Sequence, residues 1–186
     1  MSRTLVFGGA RSGKSALAER LAQQSGKEVV YLATSQAGDA EMAARIAHHR
    51  ERRPPIWQTV EEATSLAAAL RRLCAPERIV LVDCLTLWLS NLMFSSEGKQ
   101  PEIGAVDLPP LFAWERSSLL EWLDEPAAGE VIFVSNEVGM GIVPLGAVSR
   151  AFVDEAGRLN QDVAARCKRV LFVAAGLPLA LKGASC

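Results

Sequence analysis

Five short apolar runs, "TLVF" at 4–7, "EVVYLAT" at 28–34, "RIVLVD" at 78–83, "EVIFVS" at 130–135 and "RVLFVAA" at 169–175, recur between longer stretches of helical character. A strand with one wet face would alternate apolar and polar residues. These runs are nearly continuous, as suits strands buried on both faces. Their interleaving with helices predicts an α/β fold with a mostly parallel central sheet flanked by helices. Helices are expected at Lys14–Gln24, Asp39–Arg52, Glu61–Leu73, Leu85–Phe94, Leu111–Leu123 and, as one long element, within Leu145–Lys168. The segment "SSEGKQPEIGAVDLPP", Ser95 to Pro110, breaks the rhythm and reads as a long loop, either a lid or partner contact or a plain connector. No repeat or low-complexity tract marks a boundary. Residues 1–186 are expected to form one domain, long enough to bury a core without disulfides.

The turn after the first run narrows the fold further. Gly8-Gly9-Ala10-Arg11-Ser12-Gly13-Lys14-Ser15 matches G-x-x-x-x-G-K-[ST] and lies between an expected strand and an expected helix, where that pattern has physical meaning. Glycines let successive backbone N–H groups turn inward around a phosphate, and the helix that follows adds its positive end. Lys14 supplies a mobile charge for the β and γ oxygens, and Ser15 can ligate Mg²⁺. A glycine-rich turn with no ligand would not need every one of these positions. The expectation is a P-loop NTPase-like domain that holds a nucleoside triphosphate.

Asp83 closes the run "IVLVD", where a P-loop protein places its metal-organising carboxylate at the carboxyl edge of the sheet. The lesser alternative is an N-cap for the helix beginning "CLTLWL", and the two roles are compatible. "SNEV" at 135–138 has the asparagine of a base-reading N-K-x-D motif without its lysine and aspartate, which disfavours a switch GTPase.

A net charge of −1 provides no global field for nucleic acid, so no nucleic-acid partner is expected. The four cysteines, Cys74, Cys84, Cys167 and Cys186, include no C-x-x-C pair and suggest neither a zinc site nor a disulfide framework. No run approaches the roughly 18 apolar residues that a membrane span needs, and no basic segment precedes an apolar core at the N-terminus. A soluble, cytoplasmic protein with no integral membrane segment is expected.

The two histidines are adjacent, His48 and His49, within the expected helix 39–52. Neighbours on a helix point about 100° apart, so the pair cannot share one task. His49 follows Met42 and Ile46 on the apolar stripe and is expected to face inward, whereas His48 lies above Glu41 and Ala44. Arg45, Arg50, Arg52 and Arg53 form a local cationic cluster suited to phosphates. A neutral imidazole there is a competent nucleophile toward phosphorus. A solvated helix face remains the alternative on residue chemistry alone.

Several motifs then coincide in order: "GGARSGKS", "YLATSQ" at 31–36, "DAEMAARIAHHRERRP" at 39–54, "LVDCLTLWLSNLMF" at 81–94, "VSNEVGMGIVP" at 134–144 and "GRLNQ" at 157–161. Over nearly the whole chain this combination resembles the bifunctional adenosylcobinamide kinase/adenosylcobinamide-phosphate guanylyltransferases of cobalamin biosynthesis. The resemblance implies phosphorylation of adenosylcobinamide by a nucleoside triphosphate, ATP or GTP. Transfer of GMP from GTP to adenosylcobinamide phosphate would follow, through a guanylylated histidine that maps to His49, with release of pyrophosphate. It implies nucleotide contacts at Gly8, Gly9, Ala10, Arg11, Ser12, Gly13, Lys14, Ser15, Ala33, Thr34, Ser35, Arg50, Glu51, Arg52, Arg53, Glu61 and Asp83. It further implies His49 and Lys14 as the catalytic pair, Ser15 and Asp83 as Mg²⁺ ligands, and a homo-oligomer, with a trimer as the family's form. The corrinoid would be substrate, since no D-x-H-x-x-G cobalt-ligating motif is present. A plain small-molecule kinase and a nucleotide-dependent interaction module are the competing readings. Arg158 reads most simply as an ion pair with Asp154 or Asp162.

Overall fold

Six of the strands run parallel, and four of them are entered directly from a helix. A computed structural model describes residues 2–35, 54–96, 104–126 and 128–184. Along the chain come β1 (Arg3–Gly8), α1 (Lys14–Gln24), β2 (Glu28–Ala33), β3 (Gln58–Glu61), α2 (Leu66–Leu73), β4 (Arg78–Asp83) and α3 (Leu85–Met93). They are followed by α4 (Pro110–Asp124), β5 (Glu130–Asn136), α5 (Ala147–Arg166), β6 (Arg169–Ala174) and β7 (Leu177–Lys182). The sheet order is β3-β2-β4-β5-β1-β6-β7, parallel throughout except for the β6–β7 hairpin.

The continuous apolar runs are explained by burial on both faces. Leu5, Val30, Leu32, Val80, Val82, Val131 and Phe133 point to one face and pack against α2, α3, α4 and α5. Val6, Val29, Tyr31, Ile79, Leu81, Ile132 and Val134 point to the other, where Leu17, Ala18 and Ala22 of α1 cover them. Trp88 on α3 is fully buried and its Nε1 donates to the Thr64 carbonyl at 2.6 Å. One turn along, the Asn91 amide donates to the carbonyls of Thr34 at 2.7 Å and Ala63 at 2.9 Å. The i, i+3 spacing of Trp88 and Asn91 puts both on one side of α3, where they staple down the chain leaving β2 and the chain leaving β3.

The expected strands and most expected helices are present. The helix expected at Glu61–Leu73 begins instead at Leu66, because Glu61 ends β3 and the Glu62 carboxylate accepts from the amides of Thr64 at 3.0 Å and Ser65 at 2.8 Å. That contact satisfies donors ahead of the helix and holds the chain in a turn. The helix expected at Asp39–Arg52 lies outside the described residues. Of the loop expected at 95–110, residues 104–109 carry no regular structure and Pro110 opens α4. Arg158 pairs with Glu155, three residues back, and not with Asp154 or Asp162.

Burial in the first cluster pushes the Cys167 thiol from 9.0 up to about 12, with Lys182 and Arg3 pulling the other way. The folded chain therefore keeps this proton where the unfolded chain has released it, so stability is lost as pH rises from about 9 toward 12. The urea midpoint should fall over that window, and Cys167→Ala should flatten the fall. Equal slopes in the two proteins would contradict the burial assigned to this thiol.

Candidate active site

The carboxyl edge of the sheet collects most of the described residues singled out by the sequence. At its centre, β1 turns into α1 through Gly8–Ser15. Gly8 is packed so closely against β6 that a Cβ there would lie 2.2 Å from the Val173 carbonyl oxygen. Glu137 N–H donates to the Gly8 carbonyl at 3.0 Å, which ties the loop to the end of β5. On the other side Gly176 N–H donates to the Ser12 carbonyl at 2.8 Å. Gly176 belongs to the two-residue β6–β7 turn, where Ala175 and Gly176 take φ of 52° and 79°.

Arg11 and Gly13 both adopt positive φ, 54° and 95°. Gly13 is the N-cap of α1 and offers no side-chain cap, and the first turn carries no acidic residue. The helix thus begins with neither a side-chain cap nor an acid to offset its positive end, an arrangement that suits an anion. The Ser12 hydroxyl is buried with no hydrogen-bond partner. Lys14 is 9% exposed, its Nζ donating to the Gly9 carbonyl at 3.2 Å, so the lysine lies folded over its own loop.

Register carries the row onward. Asp83 on β4 is the partner of Ala33 on β2, which is in turn the partner of Glu61 on β3, so these three stand side by side at the same edge. The N-cap of α3 is Cys84, and the Asp83 carboxylate instead accepts from the Tyr31 hydroxyl, Oδ2 at 2.9 Å. The capping role open to Asp83 in the sequence is therefore not taken up. Thr34 is fully buried, and its hydroxyl donates to the Cys84 carbonyl at 2.8 Å while accepting from the Cys84 amide at 2.9 Å. Among the nucleotide contacts implied by the resemblance, its side chain is thus committed to backbone, whereas Ser35 is half-exposed. His48, His49, Arg50, Glu51, Arg52 and Arg53 lie outside the described residues.

A polar group outside the residues assigned to the nucleotide stands beside this row. The Asn136 amide at the end of β5 donates to Thr86 Oγ1 at 2.6 Å, and the Asn160 amide from α5 donates to the Asn136 carbonyl at 3.1 Å. Asn136 is the register partner of Gly8, which places it directly beside the phosphate loop. The loop after it exposes Met140, Ile142, Val143 and Leu145.

Mg²⁺ suits the donors present. Neither Ser15 Oγ nor Asp83 Oδ1 has a hydrogen-bond partner among the described residues, and both are hard oxygen donors of the kind that cation prefers. No group of three or more His, Cys, Asp and Glu side chains able to hold a metal ion forms among the described residues. A cation here would share its coordination with nucleotide phosphates.

The order of strands, the loop and the carboxylate on β4 define a P-loop NTPase fold. A type III secretion ATPase of pathogenic bacteria superposes with a TM-score of 0.54 at 14% identity, over 96% of this chain and 56% of that one. EscN of enteropathogenic E. coli superposes with a TM-score of 0.53 at 14% identity, over 94% and 43%. At such identity the likeness is one of fold. Sequence comparison goes further. The model of the cobinamide kinase / cobinamide phosphate guanyltransferase family matches residues 4–181. The bifunctional adenosylcobalamin biosynthesis protein CobP of Pseudomonas aeruginosa is 55% identical over 181 residues, 97% of this chain and 98% of its own. The corresponding CobU of Escherichia coli K12 is 43% identical over 180 residues, 96% and 98%. The chain belongs to this family, and is an enzyme with cobinamide kinase and cobinamide phosphate guanylyltransferase activities.

The packing of Gly8 has a direct consequence. Gly8→Ala must part β1 from β6 or distort the loop, and should lower stability by about 1–3 kcal/mol in urea unfolding. Gly9→Ala, with nothing within 4 Å of the added atom, should leave stability unchanged. A Gly8→Ala protein as stable as wild type would contradict this seat for the loop.

Proposed function

We propose that the chain phosphorylates the aminopropanol hydroxyl of adenosylcobinamide and then joins GMP from GTP to the new phosphate through a guanylyl-histidine at His49. The observation that carries this reading is the uncapped start of α1, with Lys14 and Ser15, standing at the same sheet edge as Asp83. The adenosyl form of the substrate is taken from the relatives, whose names place them in adenosylcobalamin biosynthesis.

In the first step the substrate hydroxyl oxygen bonds to the γ-phosphorus, the β–γ bridging oxygen leaves with the nucleoside diphosphate, and the hydroxyl proton is released. Backbone N–H groups of residues 9–15 and Lys14 Nζ hold the phosphate oxygens and stabilise the charge that develops on them. Ser15 and Asp83 would hold Mg²⁺, which when bound neutralises phosphate charge. Either ATP or GTP can serve this step, because a phosphate loop reads no base. In the second step a neutral His49 imidazole attacks the α-phosphorus of GTP and expels pyrophosphate. The phosphate of the first product then attacks the same phosphorus and the imidazole leaves, giving adenosylcobinamide-GDP. Ala33, Ser35, Glu61 and the run Arg50–Arg53 are assigned to the nucleotide, Glu61 and Ala33 by their place beside Asp83.

We also assign the protein to the cytoplasm, where both nucleotides are supplied. Among the described residues no helix is long and apolar enough to cross a membrane. A homo-oligomer, a trimer by the family resemblance, is supported by Leu177, Leu179 and Leu181, which alternate along the outermost strand β7 and stand 73%, 60% and 56% exposed.

Lys14→Ala should abolish phosphorylation of adenosylcobinamide, since Lys14 is the cation folded over the loop, whereas the loop's other charge, Arg11, is exposed. His49→Ala should lose the covalent GMP adduct and guanylylation while keeping measurable kinase turnover, and His48→Ala should keep the adduct. The adduct should be acid-labile and base-stable, as a P–N bond requires. An adduct that survives His49→Ala removes that histidine from the mechanism, and a Lys14→Ala enzyme with wild-type kinase turnover removes the phosphate loop from the kinase step.

A further inference from the structure

The carboxylate of Asp83 is held from behind by β2. Tyr31 is the register partner of Leu81, two residues before Asp83 on the same face of the sheet, so its phenol reaches diagonally along that face to Asp83. It is 3% exposed, and its hydroxyl donates to Asp83 Oδ2 at 2.9 Å. Beyond the end of β2, Thr34 grips the next peptide. Its amide donates to the Asp83 carbonyl at 3.2 Å, and its hydroxyl makes one bond to each backbone group of Cys84. Asn91 on α3 in turn holds the Thr34 carbonyl at 2.7 Å. One strand thus fixes both the side chain and the backbone of the residue on which the cation reading depends.

A donor on one carboxylate oxygen does two things. It selects a single rotamer, and it leaves the other oxygen turned away from the donor and open to a cation. A tyrosine used only to fill space would not need its hydroxyl there, because the rest of the ring already packs in the second apolar cluster.

We propose that Tyr31 and Thr34 are positioning residues for phosphoryl transfer, bracing Asp83 so that Oδ1 faces the nucleotide-bound cation. This rests on the reading of Asp83 as a ligand of that cation. It also gives Thr34 a role through Asp83, distinct from contact with the nucleotide itself.

The test uses the full chain with Mn²⁺ and a non-hydrolysable ATP analogue, free Mn²⁺ being read by its electron paramagnetic resonance signal. Tyr31→Phe and Thr34→Val should each weaken Mn²⁺ binding, roughly 10- to 100-fold for Tyr31→Phe, as expected for loss of a group that orients a ligand. The Mg²⁺ concentration for half-maximal kinase rate should rise in step, with the nucleotide KM at saturating Mg²⁺ unchanged. Normal Mn²⁺ binding in Tyr31→Phe, with binding lost in Asp83→Asn, overturns the brace and leaves the Asp83 reading standing. Normal binding in Asp83→Asn overturns both. Because Tyr31 is the only tyrosine in the chain, ¹³Cζ-tyrosine labelling gives one resonance that needs no variant of Tyr31. That resonance should move in Asp83→Asn and when Mg²⁺ and the analogue are added to wild type, and a signal unmoved in both cases overturns the brace.

Discussion

Everything at the carboxyl edge depends on how the β1–α1 turn is wedged between its neighbours. Gly8 lies against the β6 backbone with no room for a side chain, Glu137 ties it to β5, and the β6–β7 turn supports Ser12 through Gly176. A Cβ on Gly13 would lie 3.1 Å from the Gly176 Cα, so two glycines meet where the hairpin touches the loop. The amides of the loop are consequently fixed by the sheet, and little reorganisation would remain to be made when an anion arrives. The antiparallel β7, otherwise an odd addition to a parallel sheet, gains a reason: its turn closes the third side of the loop.

The second requirement is a carboxylate held at the same edge, and here the core and the site are the same structure. Tyr31 and Leu81 belong to the apolar face covered by α1, while Asp83 continues that face beyond the core. Trp88 and Asn91 on α3 pin the chain segments that leave β2 and β3, so the packing helix also shapes the site wall. Asn136, Thr86 and Asn160 link β5, α3 and α5 by the same device. Polar side chains that would weaken a core elsewhere find partners here in one another and in loop backbone, with Asn160 Oδ1 left buried and unpaired among the described residues.

What could be read in the sequence follows from the range of the forces involved. The phosphate loop was legible because its geometry is local, eight consecutive residues between a strand and a helix. Five strands were legible because burial on both faces leaves a continuous apolar run. β3 was missed because an edge strand with the sequence Gln58-Thr59-Val60-Glu61 is exposed along most of its length. β7 was missed because its leucines face outward, and the period-two signal of Leu177, Leu179 and Leu181 does not mark a buried face. The link from Tyr31 to Asp83 spans 52 residues and exists only because β2 pairs with β4, a choice of neighbours that periodicity does not encode. A signal was nonetheless present. The chain's only tyrosine sits inside a strand buried on both faces, and a buried phenol needs a hydrogen-bond partner.

The central claim is that one chain carries out two chemistries that cut the nucleotide at different bonds, the first at the γ-phosphorus and the second at the α-phosphorus through a guanylyl-histidine. Its most direct test is to incubate the protein and adenosylcobinamide with GTP carrying label at either the α or the γ phosphate, then separate denatured protein from corrinoid before turnover is complete. The account predicts α label alone on the protein, γ label alone on the first corrinoid product, and both labels on the final one. γ label retained on the protein, or α label reaching the corrinoid without ever appearing on the protein, would contradict it.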